Sequence, residues 1–526
     1  MPISTTDQLF NLVKGLTKSE KRNFKLYAKR TQQAGEAKFI RLFDIIDSMD
    51  EYDEDQVFKR VKGLSKSQLS NLKRHLYSQI LASLRLIHIS KNIDIQIREQ
   101  IDFARILYGK GLYMQSLKLL DRIKGIAKSS NQDILHYEIL EFEKLIEEKH
   151  ITRSRTVKNK MEDLIDESDN RNRIIGNTNK LTNLKLKIHG LYIQIGHIKN
   201  EKDAFVVQDY FKSNLPNLDY GSLTFFEKIY LHQSYVWYYY ILLDFEKCEE
   251  HARKWVTLLE ESPNMIEDDP DIYLRGLHYL MTSFFNQDKV DSFVDHISKF
   301  EKFQKTYGEN LNTTSEIIYF LYYYSALVYK HYLLGTFEEG LNLVPELEEK
   351  MKLYARNLDT HRILVFYYRI AWLNFGQGRY SESIDYLNKI INLKVGHLRE
   401  DIQSYSRLLH LLAHFELRNF SLLEYLEKSV SRFFEKMKDR NKVQLEMLSF
   451  IRKQLRSSNV PDEKLLKSTQ KTLLKLASDP YEKRAFLYLN ALDWVESKLK
   501  NKTVAEIIRD RREPIVQEDA GVTGDK

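Results

Sequence analysis

Five times along the chain an aromatic residue is followed five positions later by another: Tyr108/Tyr113, Tyr240/Phe245, Tyr332/Phe337, Phe375/Tyr380 and Phe415/Phe420. Two copies extend into one longer pattern, Tyr108-Gly109-Lys110-Gly111-Leu112-Tyr113-Met114-Gln115-Ser116-Leu117 and Phe375-Gly376-Gln377-Gly378-Arg379-Tyr380-Ser381-Glu382-Ser383-Ile384. An aromatic pair recurring across such a turn marks a helical hairpin. One hairpin cannot bury its apolar stripe alone, so copies must stack on one another, and a stack of this kind works through its exposed groove. The expected fold class is all-α, an α-solenoid of helical hairpins that binds and does not react.

Composition agrees with that expectation. Only 8 prolines and 19 glycines punctuate 526 residues, too few for a sheet-rich, turn-rich fold. With 43% hydrophobic and 29% charged residues the chain can fill a core and keep a polar surface, which excludes wholesale disorder. A single cysteine, Cys248, allows no disulfide framework, and Met1 to Leu16 lacks a basic-then-apolar leader, so a cytoplasmic setting is expected. No uninterrupted apolar run approaches the ~20 residues of a membrane span. No membrane partner is expected.

Most of the formal charge of +7 is concentrated at the front, where residues 1–100 hold 18 Lys and Arg against 12 Asp and Glu. Lys14, Lys18, Lys21, Arg22, Lys25, Lys29 and Arg30 form a candidate basic patch, continued by Lys38 and Arg41 and interrupted only by Glu20 and Glu36. An acidic partner such as nucleic acid is conceivable there. A mixed basic stripe is also an ordinary solvated helix face, and no base-reading motif accompanies this one.

The same region repeats itself. Val13-Lys14-Gly15-Leu16-Thr17-Lys18-Ser19-Glu20 returns as Val61-Lys62-Gly63-Leu64-Ser65-Lys66-Ser67-Gln68. In each copy a hydroxyl is followed three residues later by Glu or Gln, the pattern of a capping box that satisfies orphan amides at a helix start. After the second copy Leu69, Leu72, Leu76, Ile80 and Leu84 recur at helical spacing. Residues 1–95 are thus expected to form an N-terminal helical subdomain. From Gln96 the hairpin pattern takes over. Three residues beyond the second aromatic stand Ser116, Cys248, Gly340 and Ser383, small side chains where two helices cross closely. Two residues before it, in the same four copies, stand Gly111, Gly335 and Gly378, with Leu243 in the fourth, as expected of a left-handed helix cap.

These positions resemble the tetratricopeptide (TPR) repeat, whose second helix opens with Gly-x-aromatic-x-x-small and whose first helix carries a small residue where Ala104 and Ala371 stand. The resemblance covers residues 96–440 and implies a TPR-like α-solenoid, assigned to 96–460. The fixed points 245, 337, 380 and 420 are not spaced at the ~34 residues of a regular array. Longer helices are implied, and the gap between 245 and 337 has room for a degenerate hairpin around Tyr279 to Phe300. The polar stretch Ile151 to Thr178 reads as a long solvated helix with a loop. Asp479-Pro480-Tyr481-Glu482 reads as the start of a helix running to about Lys500, whose Phe486, Leu487, Leu489, Leu492 and Val495 could seal the last hairpin. Residues 461–512 are accordingly expected to be C-terminal capping helices and 513–526 a disordered tail.

No enzyme motif has positive support. Gly109-Lys110-Gly111 and Gly376-Gln377-Gly378 lack the third glycine of a dinucleotide loop and the Gly-Lys-Ser/Thr of a P-loop, so they read as turns. His410 and His414 lie on one helical face with no third ligand, and neither a metal nor a cofactor is expected. Carried over from the resemblance, the candidate groove comprises Tyr230, Trp237 and Tyr240, then Tyr322, Tyr329 and Tyr332, then Tyr368, Trp372 and Phe375. These rings serve either inter-repeat packing or binding of a peptide or partner helix. The leading expectation is a protein- or peptide-binding scaffold. The alternative is a transcription- or RNA-associated regulator with a basic helical head and a ligand-sensing solenoid, resembling bacterial regulators of that layout.

Overall fold

The structure is a computed structural model, and it describes residues 5–30, 37–61, 65–89, 92–150, 157–355, 357–393, 399–437, 440–457 and 462–520. Among them all regular structure is helical and no strand occurs, so the chain is all-α. Two compact units are distinguished, Met1–Ile175 and Gly176–Lys526, and the boundary falls inside the long helix Lys160–Ile195.

The first unit opens with the repeated capping pattern. Ser65 Oγ accepts from Gln68 N at 3.3 Å while Gln68 Oε1 accepts from Ser65 N at 2.8 Å, and the helix Lys66–His88 follows. Thr17 and Glu20 make the matching pair ahead of Lys18–Arg30. Leu69, Leu76 and Ile80 turn inward to join Phe24, Phe39 and Phe43 in one core. A second core, from Ile97 to Ile146, is built by the hairpin Ile93–Gly109 and Tyr113–Ser129 with the helix Asp133–His150. The core therefore changes near residue 95, yet both cores belong to one unit. Leu164, Ser168, Arg171 and Ile174 on the Lys160–Ile195 helix are buried, so the polar stretch expected to be solvated packs along one face. Residues 151–156 of that stretch lie outside the described residues.

The second unit contains five successive hairpins: Phe225–Ile241 with Phe245–Glu260, Pro270–Asn286 with Val290–Tyr307, Thr313–Leu334 with Phe337–Leu341, Thr360–Gly376 with Tyr380–Ile391, and Glu400–Glu416 with Phe420–Lys436. The second of them occupies the gap between 245 and 337. Each of the five aromatic pairs read from the sequence meets across its turn, with ring centroids between 5.3 and 6.4 Å apart. Both rings flank a left-handed residue. Gly378 has φ 87° and Gly335 φ 69°, where glycine pays no Cβ penalty, but Leu243, Asp288 and Arg418 hold the same place at φ 58°, 58° and 55°. What closes the turn is a bond from the amide after that residue to a carbonyl five residues back: Asp244 to Tyr239 at 3.0 Å, Lys289 to Phe284 at 3.0 Å, Arg379 to Asn374 at 2.8 Å. The backbone bond outweighs the side-chain preference.

The small position has a geometric cause. Ser116 Oγ donates to the carbonyl of Ala104 and Ser383 Oγ to that of Ala371, each at 2.8 Å, and Cys248 Sγ faces the carbonyl of Val236 at 3.7 Å. A larger group would force the two helices apart. Burial also pushes the Cys248 thiol up to about 12, which suits packing and not nucleophilic chemistry.

Three expectations near the C-terminus are corrected. The helix expected from Asp479 is split into a 3-10 turn, Lys483–Leu487, and the helix Ala491–Lys500, although Asp479 does accept from the amides of Tyr481 and Glu482. The split lets Tyr488 turn its carbonyl to the hydroxyl of Tyr368 at 2.9 Å. The segment also does more than seal the last hairpin. Lys483 Nζ donates to the carbonyl of Leu243, Arg512 Nε to that of Leu333, and Trp494 Nε1 to Glu416, so it runs back over the turns of earlier hairpins. Finally, the last helix extends over Val504–Ala520, so residues 513–520 of the expected tail are helical, while 521–526 lie outside the described residues.

Candidate ligand-binding cavity

The hairpins bring the long helix Lys160–Ile195 and the first helices of four successive hairpins to one cavity of about 520 Å³ in the second unit. Lys185, Leu186 and His189 come from the long helix, and Gln233 and Trp237 from Phe225–Ile241. Arg275, His278 and Tyr279 come from Pro270–Asn286. Leu321, Tyr322 and Ser325 follow from Thr313–Leu334, and His361, Arg362, Val365, Phe366 and Arg369 from Thr360–Gly376. Trp255 adds an indole nitrogen that is buried and has no hydrogen-bond partner. Four cations line this space and no carboxylate does.

Two of the cations, Lys185 and Arg369, are positioned by neutral groups. Lys185 Nζ donates to Gln233 Oε1 at 2.8 Å and lies 5.0 Å from the centre of the Tyr230 ring. Arg369 donates to the hydroxyls of Ser325 and Tyr329, with its guanidinium 4.5 Å from the Tyr329 ring and 5.6 Å from that of Phe366. Arg362 is 3.5 Å from Asp359, which is itself largely exposed. Among the described residues no carboxylate lies within ion-pair reach of Lys185, Arg275 or Arg369.

Burial, and after it the neighbouring cations, disfavours further positive charge on the groups around this space. Burial first, and then Arg275, holds the Lys185 ammonium below its ordinary range. Burial followed by Lys185 and Arg275 does the same to His189, and burial followed by Arg369 and Arg275 takes His278 down to about 3. His361 is lowered by burial and then by Arg399, against the pull of Asp359 and Asp401. The imidazoles are therefore neutral near pH 7, able to donate from one nitrogen and accept at the other. The site attracts anions and supplies planar stacking surfaces, such as Tyr322 stacked on His278 at 4.1 Å.

The aromatic residues read from the sequence divide. Trp237 and Tyr322 line the cavity, and Tyr230 and Tyr329 stand beneath Lys185 and Arg369. Tyr240 packs on Tyr192, His197 and Phe245, and Tyr332 donates to the carbonyl of Arg369 at 2.6 Å. The third set is corrected: Tyr368, Trp372 and Phe375 are buried in the core, Tyr368 bound to Tyr488 of the C-terminal segment and Trp372 stacked on Phe375. They face no groove. The four cations and three imidazoles were not singled out from the sequence. Arg275 stands ten residues before Phe285, as Tyr322 stands ten before Tyr332 and Tyr230 ten before Tyr240, so alignment of the degenerate hairpin on Phe285 would have found it.

The basic patch of the first unit is partly consumed internally. Lys14 Nζ donates to the carbonyl of Asp47, Lys21 pairs with the Asp47 carboxylate at 2.6 Å, and Lys25 pairs with Asp44 at 2.7 Å. Lys18, Arg22, Lys29 and Arg30 are exposed. Asp44 and Asp47 follow the basic run in sequence and meet it only when Ala37–Ser48 packs back. His410 and His414 are buried edge to face at 4.6 Å, and no cluster of three potential metal ligands occurs among the described residues. Likewise, no helix among them is long and apolar enough to cross a membrane.

No family model matches the chain, and no curated protein and no solved structure matches it.

Proposed function

We infer that the chain is a non-enzymatic binding scaffold, in which the hairpins of the second unit form a TPR-like α-solenoid and their first helices receive a peptide segment or partner protein. The observation that carries this reading is the convergence of six helices, spread from Lys185 to Arg369, on one cavity with Trp237 and Tyr322 in its wall. Half-buried aromatic rings held by their neighbours give large contact area at low entropic cost, which is how peptide-binding hot spots work. The same reading takes the scaffold to be cytoplasmic, in keeping with a lone, buried thiol.

Selection from a random displayed-peptide library on the full-length chain tests it. The expected result is a shared sequence motif that is enriched by wild type and lost with Trp237→Ala and with the exposed Leu186→Ser, circular dichroism showing both variants folded. Enrichment of no motif, or equal enrichment by both variants, would overturn the reading.

A further inference from the structure

Resting on the reading of this cavity as a peptide-binding face, we propose that what enters it is an oxyanion-bearing side chain, a phosphorylated or carboxylate residue, neutralised by Lys185, Arg275, Arg362 and Arg369. Cations brought together with few carboxylates repel one another, a cost that water offsets for the exposed Arg275 and that neutral partners offset for Lys185 and Arg369. Arg369 is fixed by Ser325, Tyr329 and Phe366, and Lys185 by Gln233 and Tyr230; all of these partners are uncharged. The guanidinium groups of Arg369 and Arg275 therefore line the cavity without a carboxylate partner, and planar guanidinium forks are the groups that recognise carboxylate and phosphate. A phosphoryl group, with a charge of about −1.5 to −2 and three strong acceptor oxygens, matches a multi-cation site better than a single carboxylate.

The nearby acidic groups do not fill this role: Asp269 feels Arg275 through space but forms no ion pair with it. Asp401 is chelated by Arg399, with Nε at 2.8 Å, and Asp271 is engaged by the Ser315 hydroxyl at 2.7 Å. Asp359 approaches Arg362 from the exposed side. The cavity size also falls in the range that encloses a side chain with its neighbours, about 300 to 1,000 Å³ for ligand pockets in general. Trp255 contributes a buried donor without an acceptor in the lining.

The test uses full-length protein and three fluorescein-labelled dodecapeptides of identical Gly/Ser/Tyr background: one with three phosphoserines, one with glutamate at those places, one with unmodified serine. Anisotropy titration is expected to show the phosphoserine or glutamate peptide binding at least tenfold more tightly than the serine peptide, with affinity falling as salt rises. Whichever of the two anionic peptides binds better identifies the oxyanion. Arg275→Gln, an exposed position, is expected to weaken anionic binding about tenfold, and Arg275→Gln/Arg369→Gln further. Lys18→Gln/Arg22→Gln on the first unit is expected to leave it unchanged. Equal binding of all three peptides, binding insensitive to Arg275→Gln, or loss confined to the Lys18/Arg22 variant would overturn the proposal. A library selection that enriches neutral motifs in a Trp237-dependent way would overturn it too, while leaving the scaffold reading intact; a selection that enriches nothing, together with no anionic peptide bound in the titration, removes both.

Discussion

Lys124 in the first unit and Lys185 in the second are both drawn out of water, yet they sit on opposite sides of the ordinary ammonium range. Burial alone pulls each down. For Lys124 the carboxylates of Glu143 at 2.8 Å, Glu167 at 3.6 Å and Asp121 at 3.9 Å more than offset it, and its pKa is raised. For Lys185 the next influence is another cation, Arg275, and the pKa falls further. A cation matched by carboxylates within the protein is part of what holds three helices together. One matched by nothing but an amide and an aromatic ring holds little and is open to a ligand.

The sharpest way to break this contrast is to remove the ammonium in each place. Lys124→Met removes the ion-pair partner 2.8 Å from the fully buried Glu143 carboxylate and is expected to lower the unfolding free energy by ~3 kcal/mol in urea titration. Lys185→Met loses one hydrogen bond, at a cost of ~1 kcal/mol. Comparable losses would mean the two lysines play the same role.

A charge-free contact sets the scale between those limits. A Cβ on Gly376 would overlap the ring of Phe337 in the preceding hairpin, so Gly376→Ala is expected to cost ~1 to 3 kcal/mol by overpacking. An unchanged melting curve would show that this hairpin contact is loose.

Acid should distinguish the units next. Burial first of all takes His278 and His232 down to about 3 and His197, His251 and His410 to about 4 in the second unit, whereas in the first it takes His136 down to about 4. Unfolded imidazoles titrate near ~6.5, so as pH drops below that value the unfolded chain takes up protons that the folded unit refuses, and stability declines toward pH ~4. His278→Phe, which keeps a ring to stack on Tyr322, is expected to flatten that decline by ~1 kcal/mol, read from denaturant midpoints at pH 7 and 5. An unaltered slope would place the acid sensitivity elsewhere. The smallest effect belongs to Arg275→Gln, which should change stability by less than ~0.5 kcal/mol, since the exposed guanidinium has no ion pair to lose.

Much of the local architecture was legible. Thr17 with Glu20 and Ser65 with Gln68 announced helix starts because a cap involves groups three residues apart. The aromatic pairs announced turns for the same reason, since Phe375 and Tyr380 meet across a single bend. Leu243, Asp288 and Arg418 were harder to read, as the left-handed turn is enforced there by a backbone bond that has no side-chain signature. The cavity was half legible: Trp237 and Tyr322 belonged to a visible aromatic stripe, whereas Arg275 and His278 lay on a hairpin whose second aromatic is replaced by Val290.

Local, sequence-close interactions determined the helices, their caps and most of the hairpin turns. Tertiary structure alone decided that Tyr368 is core, because Tyr488 lies 120 positions away in the chain. It also decided which basic residues are spent on Asp44, Asp47 and Glu143 and which stand together unmatched at the cavity. Charge compensation depends on distances through space, and linear spacing along the chain does not encode them.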